Sequence, residues 1–198
     1  MATDIAVVLG NLTAFYDFRD KSVVHVGAGG GQFVGYAVKA RRVVAVDPDE
    51  VAVARLQTAI AALGLGDRFT VRRAGFEDVV DRADVVFFEF CLHEMPDPGA
   101  VLGHARTLAP ETLVIDHAPD SRWAWYTAET EKAGRSWAAV EQVGIRREQQ
   151  FSGWQHFGDG EALLQKVEML GEPAVSRAKA HAGSTPIEIP MSYRIAVL

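Results

Sequence analysis

The sequence predicts an α/β fold with a mostly parallel sheet, and two stretches near its start carry that prediction. An apolar run over 22–27 stops at a cluster of glycines, and a second run over 42–47 ends in a carboxylate. Short apolar runs bounded by turn residues are typical of buried strands. Because such runs alternate with helical patterns up to residue 118, we expect parallel strands with helices on both faces of the sheet.

The predicted elements begin with a helix over 4–18, where apolar residues recur at helical spacing. Pro48-Asp49-Glu50 suits a helix start and Gly64 suits a helix end, which together bound the helix after the second strand. After the first helix, the alternating half is predicted to contain strand 22–27, a helix from Gly31, strand 42–47, helix 49–63, strand 68–74, strand 84–90, helix 98–108 and strand 112–117.

The remainder of the chain has a weaker pattern. Its composition predicts helices over 121–140 and 159–182, and strands over 145–157 and 187–198. Pro190 has no N–H to donate to a sheet, so it indicates a break or an edge position in the last strand.

Composition and charge exclude several classes of protein. The chain has 198 residues and a net charge of −6 without a lysine-rich run, so a nucleic-acid partner is not expected. Its single cysteine, Cys91, excludes an internal disulfide. No apolar run approaches the ~20 residues that span a bilayer, and no signal-peptide pattern is present. We therefore expect a cytoplasmic protein without membrane contact, and a homodimer is compatible with the sequence.

The glycine cluster and the acid that follows it predict a nucleoside ligand. Gly27, Gly29 and Gly31 directly follow a strand, and glycine lets the backbone approach a ligand closely. Asp47 at the tip of the second strand suits the ribose hydroxyls, with a helix-cap role as the alternative. The dinucleotide fingerprint G-x-G-x-x-G/A requires a small residue at Gln32, so a nicotinamide cofactor is disfavoured.

These motifs resemble those of the class I S-adenosylmethionine-dependent methyltransferases over residues 20–118. Residues 43–49 resemble the family's second motif, 83–88 its fourth strand, 92–98 the segment after that strand, and 101–110 the next helix with its exit. The resemblance implies a Rossmann-like seven-stranded methyltransferase sheet that is mostly parallel, with an antiparallel C-terminal hairpin. It also implies S-adenosylmethionine as cofactor and S-adenosylhomocysteine as its product.

The resemblance further implies a single methyltransferase domain over residues 1–198. Because only about 20 residues precede the first strand, we expect the substrate pocket to come from the preface helix, the 89–98 loop and the 117–147 segment, which suits a small molecule. The domain is expected to comprise a helical preface over 1–20, a cofactor-binding half over 21–118, and a substrate-side and sheet-closing half over 119–198.

Two positions depart from the family pattern. His25 stands where the family has an acid that holds the methionine amino group, and Glu89 is the candidate to replace that acid. Gly75 stands where the family has an acid for the adenine amino group, which leaves the backbone of Gly75 and Phe76, or the Phe76 ring, to contact adenine. Glu77 or Asp78 is the alternative source of the missing acid, unless it caps the next helix. The cofactor-binding set implied by the resemblance is Gly27, Gly29, Gly31, His25, Asp47, Pro48, Gly75, Phe76 and Glu89.

His93 and Glu89 are the predicted catalytic residues, because ligands of open α/β sheets bind at the carboxyl ends of strands. An imidazole with a near-neutral pKa suits a general base. The alternative for His93 is a hydrogen bond to the backbone of its loop, and the alternative for Glu89 is a structural pair. Cys91 is expected in the core. No metal site is expected, because the spacing of the candidate ligands matches no metal motif. Those candidates are His93, Asp116, His117 and His156.

The sequence therefore predicts direct in-line transfer of a methyl group from S-adenosylmethionine to a small-molecule nucleophile. Two alternatives stay open at this point. One is a non-catalytic S-adenosylmethionine-binding protein of the same fold, which the departures at His25 and Gly75 keep in view. The other is an NAD(P)-dependent oxidoreductase, which Gln32 disfavours. The methylated atom and the part played by a metal are not determined by the sequence.

Overall fold

A computed structural model describes residues 4–198, and its centre is a seven-stranded sheet. The strands are β1 Ser22–Val26, β2 Arg42–Asp47, β3 Phe69–Arg73, β4 Val85–Glu89, β5 Glu111–His117, β6 Arg147–Phe157 and β7 Ile187–Val197. Their order across the sheet is β3-β2-β1-β4-β5-β7-β6. Residues 1–3 of the predicted preface lie outside the described residues.

The first five strands are parallel, whereas β7 pairs antiparallel with both β5 and β6. This confirms the mostly parallel sheet and its antiparallel C-terminal hairpin. The strands β1 and β4 are buried along their whole length, which explains why they read as continuous apolar runs. The carboxyl ends of β1, β2, β4 and β5 meet at one edge of the sheet, and the functional candidates lie along that edge.

Seven α-helices cover the two faces of the sheet among the described residues. The helices are α1 Ile5–Phe15, α2 Glu50–Ala62, α3 Pro98–Leu108, α4 Arg122–Tyr126, α5 Thr130–Val143, α6 Gly160–Val167 and α7 Ala174–Lys179. The sheet and the helices α1, α2, α4, α6 and α7 form one hydrophobic core, which includes Leu12, Leu56 and Leu163. The sheet, α3 and α5 form the other core, which includes Leu102 and Trp137.

The helix predicted from Gly31 is wrong, because the chain forms only a 3-10 helix at Val34–Val38. Gly29 and Gly31 have φ angles of +49° and +77°, outside the helical region. Gly35 and the β-branched Val34 have low helix propensity. An added Cβ on Gly31 would lie 2.9 Å from Cβ of Ala59, so the glycine turn packs closely against α2.

The two long C-terminal helices are also shorter than predicted. The 121–140 helix is divided into α4 and α5 at Ala128, whose φ is +63°. The 159–182 helix is divided into α6 and α7 at Gly171, with a φ of +71°, and at Pro173, which lacks the N–H that a continuing helix requires. The helical spacing of apolar residues therefore continues across positions where the backbone ends the helix.

Pro190 lies inside β7, opposite Trp154 of β6. The strand β5 pairs with β7 only from Tyr193 onwards, so the other side of Pro190 has no strand partner. This agrees with the predicted edge position. Among the described residues, no helix is long and apolar enough to cross a membrane.

Candidate functional site

The glycine turn after β1 forms one wall of the candidate site. Gly27, Gly29 and Gly31 all have positive φ angles, which L side chains rarely adopt. An added Cβ on Gly27 would overlap the side chain of Cys91, whose Sγ lies 3.3 Å from the carbonyl oxygen of Val26. Burial raises the pKa of the Cys91 thiol. Cys91 therefore packs beneath the turn, as expected, and the turn requires glycine.

Asp47 connects this turn to the start of α2. Its two carboxylate oxygens accept hydrogen bonds of 2.9 Å from the backbone N–H groups of Gly29 and Asp49. Asp49, and not Asp47, caps the helix by accepting from the N–H of Ala52 at 2.7 Å. Each oxygen of Asp47 has a further lone pair, so the carboxylate can also accept from ribose hydroxyls. Pro48 is exposed between the two acids.

A buried histidine and a buried acid lie beneath the glycine turn. Nε2 of His25, on β1, is 2.7 Å from Oε2 of Glu89, at the tip of β4, and the His25 ring stacks on Phe87. Burial raises the pKa of Glu89, an effect that His25 opposes and Asp47 reinforces. The hydroxyl of Tyr36 is buried nearby without a hydrogen-bond partner in residues 4–198. The structure thus brings His25 and Glu89 together, which fits the alternative of Glu89 in a structural pair, and the contact of Glu89 with the cofactor stays a prediction.

His93 lies in a group of carboxylates and does not line the cavity described below. Its Nδ1 is 2.6 Å from Oδ1 of Asp116, and its Nε2 is 3.4 Å from Glu94 and 3.8 Å from Glu129. Burial lowers the pKa of His93, but these carboxylates outweigh burial and raise the pKa to about 11. While these carboxylates hold a proton on the ring, the ring cannot accept one from a substrate, so the general-base role of His93 stays a prediction that this arrangement does not favour.

His117, the last residue of β5, is the histidine that faces the cavity. Its side chain is buried, and burial lowers the pKa of the imidazole. Its Nδ1 has no hydrogen-bond partner in the described part of the chain, while its carbonyl accepts from Nε1 of Trp137 at 2.8 Å. A neutral imidazole at a cavity wall can accept a proton. From the sequence His117 is a candidate metal ligand only, although its place at the tip of a predicted strand is a signal for a role at the cavity.

The cavity has a volume of about 280 Å³ and lies between the glycine turn and the C-terminal hairpin. The cofactor-side lining is Gly27, Gly29, Gly30, Gln32, Phe33, Glu89 and Phe90. The opposite lining is His117, Trp123, Gln155, Lys166 and Met191. The preface helix is expected to contribute to the pocket, but none of its described residues lines this cavity. The elements β6, α6 and β7 contribute lining residues that are not predicted from the sequence.

The Phe76 ring packs in the core, so it is not free to stack on adenine as one form of the prediction has it. Its ring packs edge-on against Phe88 and against the ring of His104, and the side chain is buried. Gly75 precedes it at the carboxyl end of β3, where the chain enters a 3-10 turn. The predicted contact of both residues with adenine thus depends on their backbone groups.

The four histidines and acids considered as metal ligands do not all converge. His156 pairs with Glu188 at an exposed site on the C-terminal hairpin, 3.2 Å apart, whereas His93, Asp116 and His117 are neighbours.

A family model described as "Methyltransferase domain" matches residues 5–169. A comparison with curated protein sequences found no match. The sheet order and the match to this model agree with the resemblance found in the sequence.

Solved structures of low sequence identity share the fold. A putative methyltransferase from Bacillus halodurans is 14% identical, with a TM-score of 0.67, covering 98% of this chain and 97% of that one. A SAM-dependent methyltransferase from Aquifex aeolicus is 18% identical, with a TM-score of 0.59 and coverages of 99% and 90%. Magnesium protoporphyrin IX methyltransferase from Synechocystis, solved with bound SAH, is 15% identical, with a TM-score of 0.57 and coverages of 97% and 80%.

Proposed function

The chain belongs to the methyltransferase domain family, and from that premise we propose that it methylates a small-molecule nucleophile by direct in-line displacement. S-adenosylmethionine supplies a sulfonium methyl group, which bonds to the acceptor's lone pair as the carbon–sulfur bond breaks and its electrons stay on sulfur. The observation that carries the proposal is the cavity of about 280 Å³ between the glycine turn and the C-terminal hairpin. Its size is close to the lower end of small-molecule pockets.

The residues at the sheet edge fit this cofactor. The glycine turn leaves open the space that side chains would fill, and Asp47 has lone pairs for the ribose hydroxyls. Glu89 lines the cavity, and its buried carboxylate lies 2.7 Å from Nε2 of His25. A carboxylate has about four lone-pair sites, so Glu89 can also accept from a ligand while it contacts His25. We assign Glu89 to the cofactor's amino group.

His117 is the proposed general base for the acceptor. Its side chain lines the same cavity as Glu89, from the end of the neighbouring strand β5, and its lowered pKa keeps the imidazole neutral near pH 7. A neutral ring can take the proton that a hydroxyl, thiol or amine loses when it is methylated. Trp123 and Met191 add apolar surface on the same side, which limits the access of water to the reacting groups.

The charges of the cavity favour an acceptor with an acidic group. Lys166 is the one lysine or arginine among the described residues that line it. Glu89, the one acid among the described lining residues, is assigned to the cofactor. A lysine at the cavity mouth can pair with a carboxylate or phosphate of the acceptor and orient it.

Calorimetry and isotope transfer test this proposal together. Purified protein should bind S-adenosylmethionine and S-adenosylhomocysteine, as measured by isothermal titration calorimetry. With methyl-deuterated S-adenosylmethionine and extracts of the cells that naturally make the protein, the label should enter the small-molecule fraction. Label found only in RNA or protein would refute the substrate class. Binding without any transfer would favour the non-catalytic alternative.

A further inference from the structure

Three potential metal ligands from two separate segments meet behind His117. Nε2 of His93 and one carboxylate oxygen each of Glu94 and Glu129 all lie within 4.8 Å of one another. His93 and Glu94 belong to the 3-10 turn after β4, and Glu129 immediately precedes α5. The His93 and Glu129 side chains are buried, whereas that of Glu94 is about half exposed, so the group is open to solvent on one side.

The histidine of this group is held in the orientation that a metal ligand requires. Asp116 is fully buried, and its Oδ1 lies 2.6 Å from Nδ1 of His93 while its Oδ2 accepts from the His93 backbone N–H at 2.9 Å. The Asp116 carboxylate therefore fixes the ring so that Nε2 faces the two glutamates. A carboxylate bonded to the far nitrogen of a histidine is the usual outer-shell partner of a metal-binding imidazole.

Glu129 is oriented by a similar outer contact. The hydroxyl of Thr127 donates to Oε2 of Glu129 at 2.6 Å, and both residues are buried. Nε2 of His93 is 3.8 Å from that oxygen and 3.4 Å from Oε1 of Glu94, which is longer than a usual N–H···O hydrogen bond. The two glutamates thus face Nε2 of His93 across contacts that are long for hydrogen bonds.

The charges of the group are unbalanced. Three carboxylates, those of Asp116, Glu94 and Glu129, surround one imidazole. Within residues 4–198, the other ion pair made by these acids is that of Glu94 with Lys132, at 2.7 Å. Even with His93 protonated, the carboxylates outnumber the cations by one. Buried carboxylates are stabilised when they are paired or bind a metal.

We propose that Nε2 of His93, Glu94 and Glu129 bind one divalent transition-metal cation, with a coordination position left open. An imidazole nitrogen with two carboxylates suits Zn²⁺ or Mn²⁺ better than Mg²⁺ or Ca²⁺, which prefer oxygen alone. Ligand atoms about 2.1 Å from such a cation are ~3–3.5 Å apart, close to the 3.4 and 3.8 Å observed. A small rotation of the two glutamates closes the site.

The bound cation would join the turn after β4 to the start of α5. The His93 and His117 rings are 5.6 Å apart between centroids, so the site supports the cavity wall from behind. No metal site is expected from the sequence, because no spacing pattern connects Glu129 to the His93-Glu94 pair. The proposed metal site is independent of the proposed methyl acceptor.

Metal binding by the full-length chain, without an oligohistidine tag and after treatment with chelator, tests the inference. Zn²⁺ titration by calorimetry should show one site per chain, and Mn²⁺ should give a bound-state electron paramagnetic resonance spectrum. Glu129→Gln and Glu94→Gln should each weaken binding at least about tenfold. Glu188→Gln is the matched control, since Glu188 pairs with His156 at an exposed site where residues 4–198 offer no third ligand.

Two outcomes would overturn the inference. If neither Zn²⁺ nor Mn²⁺ binds stoichiometrically, the group holds a proton on His93 and no metal. If binding persists unchanged in Glu94→Gln, the metal lies elsewhere. Glu94 is half exposed, so its variant is expected to fold even if Glu129→Gln does not. Because these titrations contain no S-adenosylmethionine, their failure leaves the methyltransferase proposal intact.

Discussion

Replacing Asp47 by Asn should weaken cofactor binding strongly while preserving the shape of the side chain. Both carboxylate oxygens accept backbone N–H groups, from Gly29 and from Asp49, at 2.9 Å. An asparagine has one oxygen and one NH₂ group, so either orientation places a donor against a backbone donor. The substitution therefore removes the charge and also disturbs the glycine turn.

The expected loss follows from the bonds involved. A hydrogen bond to a charged group contributes about 1.5–3 kcal/mol, which corresponds to roughly ten- to a hundredfold in affinity. Loss of the turn's preferred geometry weakens binding further. We therefore expect a loss of affinity for S-adenosylhomocysteine near the upper end of this range, as measured by calorimetry.

Asp49→Asn provides a matched control two residues away. Asp49 caps α2 through Ala52, and asparagine is an equally good cap, so stability and affinity should both remain close to wild type. Equal affinities in the Asp47→Asn variant and wild type would refute the assignment of Asp47 to the ribose. Equal losses in both variants would indicate a general effect on the start of α2 instead.

Three further predictions concern the turn and the cavity. Gly29→Val should abolish cofactor binding and also lower the melting temperature, because a β-branched residue is strained at the φ of +49° even though the nearest atom to an added Cβ is 3.8 Å away; normal binding would contradict the role of the turn. His117→Gln should lower the methylation rate by a factor of about 10²–10⁴ and leave the cofactor affinity unchanged. His156→Gln, at an exposed histidine, should leave the methylation rate unchanged. Equal rates for His117→Gln and wild type would exclude His117 as the base. Lys166→Met should raise KM for an acidic acceptor more than it lowers kcat, and an unchanged KM would argue for a neutral acceptor.

Much of the fold could be predicted because each strand is a short apolar run with clear boundaries. The strand β2 begins and ends where the sequence predicted, and α3 does as well. The helix breaks at Ala128 and Gly171 were missed, because apolar spacing continues across both positions. A single left-handed residue ends a helix without changing the periodicity on either side of it.

The candidate site was predicted less completely, because protonation depends on neighbours that the sequence does not place together. His93 lies in the 3-10 turn after β4 and His117 is the last residue of β5, and the sequence does not show which of the two rings faces the cavity. The structure surrounds His93 with three carboxylates from separate segments, which raises its pKa, while burial lowers that of His117. Without a bound metal, the carboxylates therefore favour a protonated His93 ring and burial favours a neutral His117 ring, although the two ring centroids lie 5.6 Å apart.

The relation between His25 and Glu89 shows why a departure from a family motif need not abolish the function. The strands β1 and β4 are parallel neighbours, and their register places His25 opposite Phe87. Side chains two residues apart on a strand share a face, so Glu89 is on the same face as Phe87 and His25. Its carboxylate reaches Nε2 of His25 at 2.7 Å. The negative charge that the family supplies from β1 is thus available from β4 at the same edge of the sheet, and recognising it requires the register between the two strands.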